Sequence, residues 1–203
     1  MIELETPFGL ARADVRVNAE SRGAVVLRHG AGGGIGAPDL VAAARAAQSE
    51  RIGVVLIEQP YRVAGRRSPA SGRQLDGAWI AVVEQLRSDV LAALPLVLGG
   101  RSSGARVACR TAEATGAAGV LCLAFPLQPP RRTGTAPSRL DELDAVAVPT
   151  LVVQGERDPF GMPPPGPQRS VVRVRGDHSL RTDLDSVASA VAPWLVEVLT
   201  RAA

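Results

Sequence analysis

The chain has 203 residues, 46% of them apolar, which is enough to bury one substantial hydrophobic core but hardly two. Its net charge is +3, all 23 basic residues are arginines scattered singly or in pairs, and aromatic residues make up 3%. Because nucleic-acid binding needs clustered basic residues and aromatic side chains for base stacking, this composition argues against a nucleic-acid partner. We therefore expect a single domain over residues 1–203.

The sequence also argues against a membrane partner. No apolar run approaches the ~20 residues that span a bilayer, and the N-terminus, residues 1–5, is acidic where a secretory signal is basic. A cytoplasmic protein is predicted. Cys109 and Cys122 show no metal-ligand spacing and are too few for a disulfide framework, so both are expected to be buried apolar residues. No cofactor or metal is predicted, and the oligomeric state is left open.

Strand-like and helix-like segments alternate along the chain. Buried parallel strands are indicated by continuous β-branched runs, and helices by apolar residues at helical spacing. The predicted strands cover residues 10–17, 24–27, 53–58, 94–98, 119–125, 150–153 and 170–174, and the predicted helices cover residues 39–49, 75–91, 105–115 and 186–199. This alternation predicts an α/β fold with a doubly wound, mostly parallel sheet.

Two segments interrupt the alternation, residues 59–72 and 127–144, and both are rich in Pro, Arg, Gly and Ser. Each follows the carboxyl end of a predicted strand, which is where α/β sheets bind ligands. They are either ordinary surface loops or the walls of a substrate site, and the sequence leaves both interpretations open.

A G-x-S-x-G pentapeptide, residues 100–104, lies between the strand at 94–98 and the helix at 105–115. In a strand, sharp turn, helix context this motif indicates a nucleophile elbow, which would expose Ser102 above the sheet. The flanking glycines are needed because strand and helix approach so closely that a β-carbon would collide.

A serine hydroxyl is a poor nucleophile unless a base takes its proton, and the chain has two histidines, His29 and His178. His29 ends an early strand, whereas His178 follows the last one. The α/β-hydrolase order of serine, acid and histidine selects His178 as the base.

The same order requires an acid between Ser102 and His178. Asp158 follows the strand at 150–153, where its carboxylate could fix the tautomer of His178 and stabilise the imidazolium. Glu156 and Asp177 are the rival acids, and a turn-initiating role for Asp158 before a proline is the structural alternative.

An acyl-transfer site also needs backbone N–H donors for the oxyanion. One is expected from Ser103, the residue after the nucleophile, and the other from Ala31, in the glycine-rich loop after an early strand. His29, beside Ala31, is interpreted as a buried residue that braces this loop.

With these residues assembled, the chain resembles the α/β-hydrolase superfamily. It is most similar to the small, capless, dienelactone-hydrolase-like group that includes a testis-expressed protein and the hydrolase-like domain of a chromatin-complex subunit. The matching segments are residues 27–33, 99–104, 124–127, 149–155, 157–161 and 176–179. The resemblance implies cleavage of a small-molecule ester or thioester through an acyl-enzyme on Ser102. It fails at residues 128–130, where Gln-Pro-Pro replaces an expected His-Pro-Pro, which puts a substrate-binding role for that histidine in doubt.

Two other functions are weighed. The first is a catalytically silent interaction module. The presence of all three catalytic residue types argues against it. The second is a dinucleotide-binding protein, because residues 32–37 match G-x-G-x-x-A after a strand and Glu58 lies roughly 20 residues further on. That fingerprint would normally follow the first strand.

Arg101, beside the nucleophile, has two possible roles. It could bind a substrate carboxylate bidentately, or it could turn away from the site and pair with a nearby carboxylate to hold the elbow. The strained turn favours the second role. Because a chain of this length leaves no room for a lid domain, we also expect an open, shallow site for small or extended acyl groups.

Overall fold

The structure is a computed structural model, and it describes residues 1–128 and 137–203. Its strands are β1 (Ile2–Thr6), β2 (Gly9–Arg16), β3 (Ala24–Arg28), β4 (Gly53–Glu58), β5 (Leu96–Arg101), β6 (Gly119–Leu123), β7 (Thr150–Gly155) and β8 (Arg169–Val174). The helices are α1 (Pro38–Ser49), α2 (Pro60–Val63), α3 (Gly72–Ser88), α4 (Ser103–Thr111), α5 (Leu140–Asp144) and α6 (Leu184–Ala202).

The strands form one sheet in the order β1-β2-β4-β3-β5-β6-β7-β8. β1 and β2 pair antiparallel at one edge, and β2 also pairs antiparallel with β4. All further pairings, from β4 through β3 and β5 to β8, are parallel. The carboxyl ends of β3, β5, β7 and β8 therefore open onto the same edge of the sheet, and residues 1–128 and 137–203 form no cap domain over it. The predicted doubly wound, mostly parallel sheet is confirmed.

The sheet separates two hydrophobic clusters. On one face, apolar side chains of α3 and α4, including the fully buried Trp79, pack on alternate residues of β3, β5 and β6. On the other face, α1 and α6 pack together and cover the opposite residues of the same strands. The central strands are buried on both faces, which explains their continuous apolar sequences. Cys109 and Cys122 are buried as expected, with their sulfur atoms 3.6 Å apart.

Three elements were not predicted. β1 is a short edge strand in which only Leu4 is buried, so its sequence has little apolar periodicity. The short helices α2 and α5 lie within the two interrupting segments. Residues 129–136 of the second segment lie outside the described residues. Within the described ranges, no helix is long and apolar enough to cross a bilayer.

Candidate active site

The pentapeptide forms a sharp turn between β5 and α4. Ser102 has φ 54° and ψ −113°, a left-handed conformation that is costly for a residue other than glycine. The neighbouring glycines permit it, because a β-carbon on Gly100 would lie 2.5 Å from the Arg28 carbonyl oxygen and one on Gly104 would lie 2.7 Å from the same atom. The strain and the close approach are the features that the sequence motif predicted.

Ser102, His178 and Asp158 lie next to one another. Ser102 Oγ is 2.9 Å from His178 Nε2, and His178 Nδ1 is 2.8 Å from Asp158 Oδ2. Since a carboxylate only accepts hydrogen bonds, Nδ1 carries the proton and Nε2 is free to accept one from the serine hydroxyl. The three residues come from the turns after β5, β7 and β8, and the parallel sheet brings these turns together.

The Asp158 carboxylate is buried and held by several donors. The Phe160 N–H donates to its Oδ1 at 2.8 Å, and the side-chain amide of Gln154 donates to its Oδ2 at 2.9 Å. Gln154, on β7, is fully buried, and the same amide nitrogen also lies 3.0 Å from the Phe125 carbonyl and 2.8 Å from the Gly161 carbonyl. Its contacts thus fix the position of the carboxylate.

Sequence reasoning missed Gln154 as a functional residue. The sequence contained a signal for this role, because Gln154 is the one residue with a side-chain amide in the strand Thr-Leu-Val-Val-Gln-Gly and it directly follows three apolar residues. A buried polar side chain must find partners, so its position near the carboxyl end of a central strand pointed to the site.

The rival acids lie elsewhere. Asp177 is exposed, and its Oδ1 accepts hydrogen bonds from the backbone N–H and hydroxyl of Ser179 at 2.9 and 2.6 Å. These bonds lower the pKa of Asp177. Glu156 is also exposed. The carboxylate beside His178 is therefore that of Asp158.

His29 is fully buried, and both of its ring nitrogens are engaged. Nδ1 lies 2.7 Å from the Gly30 carbonyl, and Nε2 accepts the Gln59 backbone N–H at 3.1 Å. One neutral tautomer, protonated on Nδ1, satisfies both contacts. Burial lowers the pKa of His29 from 6.5 to about 4. These contacts agree with the interpretation of His29 as a residue that braces the loop.

Arg101 is not among the described residues that line the cavity around Ser102, and its side chain links three segments. Its Nε lies 2.9 Å from Asp39 Oδ2 at the start of α1, and its Nη2 donates to the His178 carbonyl oxygen at 2.9 Å. Burial raises the pKa of Asp39, and the charge of Arg101 offsets part of that rise. Of the two roles considered for Arg101, its contacts match the bracing one.

Ser102, Ser103 and Ala31 line one cavity of about 940 Å³ that opens to solvent. As the first residue of α4, Ser103 has a backbone N–H without a partner inside the helix. Ala31 follows β3, the third strand, and its carbonyl accepts the Tyr61 hydroxyl at 3.0 Å. Both interrupting segments contribute to the cavity wall, the first through Pro69, Ala70 and Gly72, and the second through Arg139 and Glu142.

Comparison with known proteins assigns this arrangement to a family. The family model for the alpha/beta hydrolase domain matches residues 21–191, which is most of the chain. The chain belongs to this family. No curated protein matches it significantly.

Solved structures show the same α/β-hydrolase fold. A lidless α/β serine hydrolase from Xanthomonas campestris, XC6422, matches with a TM-score of 0.78 and 22% identity over 98% of this chain and 94% of that one. Est1E from Butyrivibrio proteoclasticus, solved with ferulic acid bound, has a TM-score of 0.80 and 14% identity over 98% and 100% of the two chains. A dienelactone hydrolase from Anabaena variabilis has a TM-score of 0.78 and 16% identity over 98% and 96%.

This α/β-hydrolase also contains a buried arginine beneath the elbow. Arg28, at the end of β3, is fully buried, and its guanidinium carbon lies 6.0 Å from the centre of the Trp79 ring. None of its side-chain nitrogens has a hydrogen-bond partner among the described residues. Burial lowers the pKa of Arg28 to about 10. This arrangement leaves no signal in the sequence, because an arginine at a strand end is usually exposed.

Of the Gln-Pro-Pro segment at residues 128–130, Gln128 belongs to the described residues. The Gln128 backbone N–H donates to the Phe160 carbonyl at 2.8 Å, which joins the turn after β6 to the turn that carries Asp158. Pro129 and Pro130 lie outside the described residues.

Proposed function

We propose that this α/β-hydrolase is a serine hydrolase that cleaves small esters or thioesters through an acyl-enzyme on Ser102. The proposal is carried by a chain of two hydrogen bonds. Ser102 Oγ lies 2.9 Å from His178 Nε2, and His178 Nδ1 lies 2.8 Å from Asp158 Oδ2. This arrangement meets the geometric requirement for nucleophile, base and orienting acid, since each distance is that of a hydrogen bond.

The proposed reaction has two stages. In the first, His178 Nε2 takes the proton of Ser102 as Oγ attacks the acyl carbon, and the same proton then passes to the leaving alcohol or thiol. In the second, His178 Nε2 takes a proton from a water molecule as that water attacks the acyl carbon, and the proton passes to Ser102 Oγ as the bond to the acyl group breaks and the carboxylic acid leaves. Throughout, Asp158 stays ionised and stabilises the imidazolium.

The negative charge on the carbonyl oxygen of each tetrahedral intermediate needs donors that are already in position. We assign this role to the backbone N–H groups of Ala31 and Ser103, which flank Ser102 in the same cavity. Two sets of hydrogen bonds keep the Ala31 loop in position before a substrate binds. The Tyr61 hydroxyl donates to the Ala31 carbonyl, and both ring nitrogens of His29 are hydrogen-bonded.

The expected substrates have small or extended acyl groups. The cavity around Ser102 opens to solvent and has no cap domain over it in the part of the chain that the structure describes, so it offers little enclosed surface for a long lipid chain. Strong selectivity for long-chain lipids with interfacial activation would contradict this part of the proposal.

A fluorophosphonate probe tests the nucleophile directly, because it reacts covalently with an activated serine. The wild-type chain should be labelled, Ser102→Ala should not, and Ser103→Ala, one residue away in the same cavity, should be labelled like the wild type. A panel of p-nitrophenyl esters and thioesters of graded chain length then defines the acyl preference. Absence of both labelling and hydrolysis would support a catalytically silent interaction module.

A dinucleotide-binding function is the remaining alternative. It rests on the glycine pattern at residues 32–37 and on Glu58 at the end of β4. In this fold the glycine loop follows β3, and Ala31, directly before it, lines the same cavity as Ser102, where the proposed reaction needs it. A fluorescence titration with NAD(H) and NADP(H) decides the point, and saturable binding would favour the alternative.

A further inference from the structure

The wall of the Ser102 cavity has more positive than negative charge. Among the described residues that line it, four are arginines and two are carboxylates; they are Arg73, Arg106, Arg110, Arg139, Asp76 and Glu142. A cavity wall with an excess of one sign of charge attracts ligands of the other sign, and the low-dielectric surroundings strengthen that attraction.

Both carboxylates already have arginine partners. Glu142 binds Arg106 through both oxygens, with Nε donating to Oε2 at 2.8 Å. Asp76 binds Arg110 in the same bidentate manner, with Nε donating to Oδ2 at 2.9 Å. Because bidentate pairing engages both oxygens of each carboxylate, the acidic groups of the wall neutralise Arg106 and Arg110. The excess charge therefore resides on the other arginines.

Arg139 is the half-buried arginine of this wall that lacks an acidic partner within residues 1–128 and 137–203. Its Nη1 donates to the Pro126 carbonyl at 2.9 Å, which fixes the side chain in the wall, and Pro126 itself lines the cavity. Burial lowers the pKa of Arg139, the charges of Arg106 and Arg110 lower it further, and the charge of Glu142 offsets part of this effect. An anion beside Arg139 would offset the charges of Arg106 and Arg110 and would bind the guanidinium, whose other nitrogens have no acidic partner among the described residues.

Arg28 adds a further positive charge behind the same wall. It is fully buried, and its electrostatic neighbours include Asp76 and Arg110, which line the cavity. Since Asp76 is engaged with Arg110, the charge of Arg28 also contributes to the positive field near the cavity.

We propose that Arg139 and the positively charged wall around it form a subsite for a carboxylate or other anionic group carried by the ester or thioester that acylates Ser102. This inference rests on the proposed function and names its substrate class. The anionic group belongs either to the acyl chain or to the leaving group, and both positions place the same chemistry in the cavity.

Two matched substrate pairs distinguish these positions. The acyl arm compares the p-nitrophenyl hemiester of glutaric acid with p-nitrophenyl pentanoate, which has the same chain length without the charge. The leaving-group arm compares 4-carboxyphenyl pentanoate with its methyl ester. In the wild type, kcat/KM should favour the charged member of one pair, and this preference should weaken as ionic strength rises.

Three variants locate the effect. Arg139→Gln should lower kcat/KM for the preferred anionic substrate about tenfold, as expected for one charge-assisted contact, and should leave the neutral partner unchanged. Arg139→Lys should restore part of the preference, because it keeps the charge but not the bidentate geometry. Arg45→Gln, an exposed position on α1 outside the cavity wall, should behave like the wild type.

The outcomes separate the subsite from the hydrolase activity. If neutral esters are hydrolysed but Arg139→Gln leaves both ratios unchanged, the subsite is wrong and the hydrolase proposal stands. If no ester is hydrolysed, calorimetric titration of Ser102→Ala with the glutarate hemiester decides the subsite alone. Binding that weakens about tenfold on adding Arg139→Gln supports it, and equal affinity overturns it.

Discussion

Arg101 Nε lies 2.9 Å from Asp39 Oδ2, and this ion pair joins the nucleophile elbow to the first turn of α1. The same guanidinium donates to the His178 carbonyl at 2.9 Å. Asp39 is fully buried and the Arg101 side chain is 19% exposed, so the pair is largely shielded from solvent. Arg101 therefore fixes the distance between the loop that carries the base and the turn that carries the serine.

Arg101→Leu should lower the free energy of unfolding by about 2–4 kcal/mol, because it leaves the Asp39 carboxyl buried without its cation. It should also lower kcat equally for neutral and carboxylate-bearing esters, since the His178 loop loses its anchor. Urea unfolding and ester kinetics measure the two effects. A rise in KM confined to carboxylate-bearing esters would instead assign Arg101 to substrate binding, and unchanged stability with unchanged kinetics would contradict both roles.

Substitutions in the proposed triad should differ in severity. Ser102→Ala should abolish hydrolysis with the fold intact, and His178→Ala should do nearly the same. Asp158→Asn should leave residual activity, roughly 10⁴-fold below the wild type, because the serine and the imidazole remain but the tautomer is wrong. Steady-state kinetics and circular dichroism check this. The assignment of the base is wrong if His29→Ala removes acylation without lowering stability.

Gln154→Met should lower kcat about tenfold with KM unchanged. The substitution keeps the volume of the side chain but removes the amide that donates to Asp158 Oδ2 at 2.9 Å. A carboxylate held less firmly orients His178 less well, while substrate binding at the cavity is unaffected. Gln154→Glu, which places a second carboxylate beside Asp158, should be more severe. Equal activity of Gln154→Met and the wild type would assign the glutamine a packing role alone.

His29 should make the protein sensitive to acid. Its pKa is lowered by burial to about 4 in the folded chain, whereas an unfolded chain has the ordinary value of 6.5. The unfolded state therefore binds the proton first as pH falls. Stability from this group is complete above pH 6.5 and is lost progressively down to about pH 4, by roughly 3 kcal/mol in total.

Urea unfolding at pH 7 and pH 4.5 measures this loss. His29→Gln can still accept the Gln59 N–H without titrating, so the variant should lose distinctly less stability over the interval than the wild type. All other titratable groups are common to the two proteins, so their contributions cancel in the comparison. An identical pH dependence in the two proteins would show that His29 is not the responsible group.

Arg28→Met should raise the free energy of unfolding by about 1 kcal/mol or more. The guanidinium is fully buried, and its nitrogens have no partner among the described residues, so replacing it with an apolar side chain of similar length removes a desolvation penalty. Arg28→Ala is the control, because it removes the charge but leaves a cavity and should be less stable than Arg28→Met. Destabilisation by Arg28→Met equal to that by Arg28→Ala would reveal a partner for this cation.

Local sequence patterns determine the strands and helices that position the site. Continuous β-branched runs such as β3 and β4 are buried on both faces. The strained G-x-S-x-G turn forms because its two glycines have no β-carbon and can therefore lie close to the Arg28 carbonyl oxygen. Chain order selected His178, and chain order together with a position after a strand selected Asp158, with Glu156 and Asp177 left as rivals. These features can be predicted from the sequence because they depend on neighbouring residues or on the topology that alternating strands and helices require.

Contacts between distant segments are decided by the tertiary structure alone. The sequence could not show that Arg101 meets Asp39, 62 positions away, or that Gln154 points at Asp158. Nor could it show that Arg28 is buried without a partner or that Arg139 lines the same cavity as Ser102. Each depends on side-chain direction and on which loops the parallel sheet brings to one edge, and pairwise packing of this kind leaves no periodic signal along the chain.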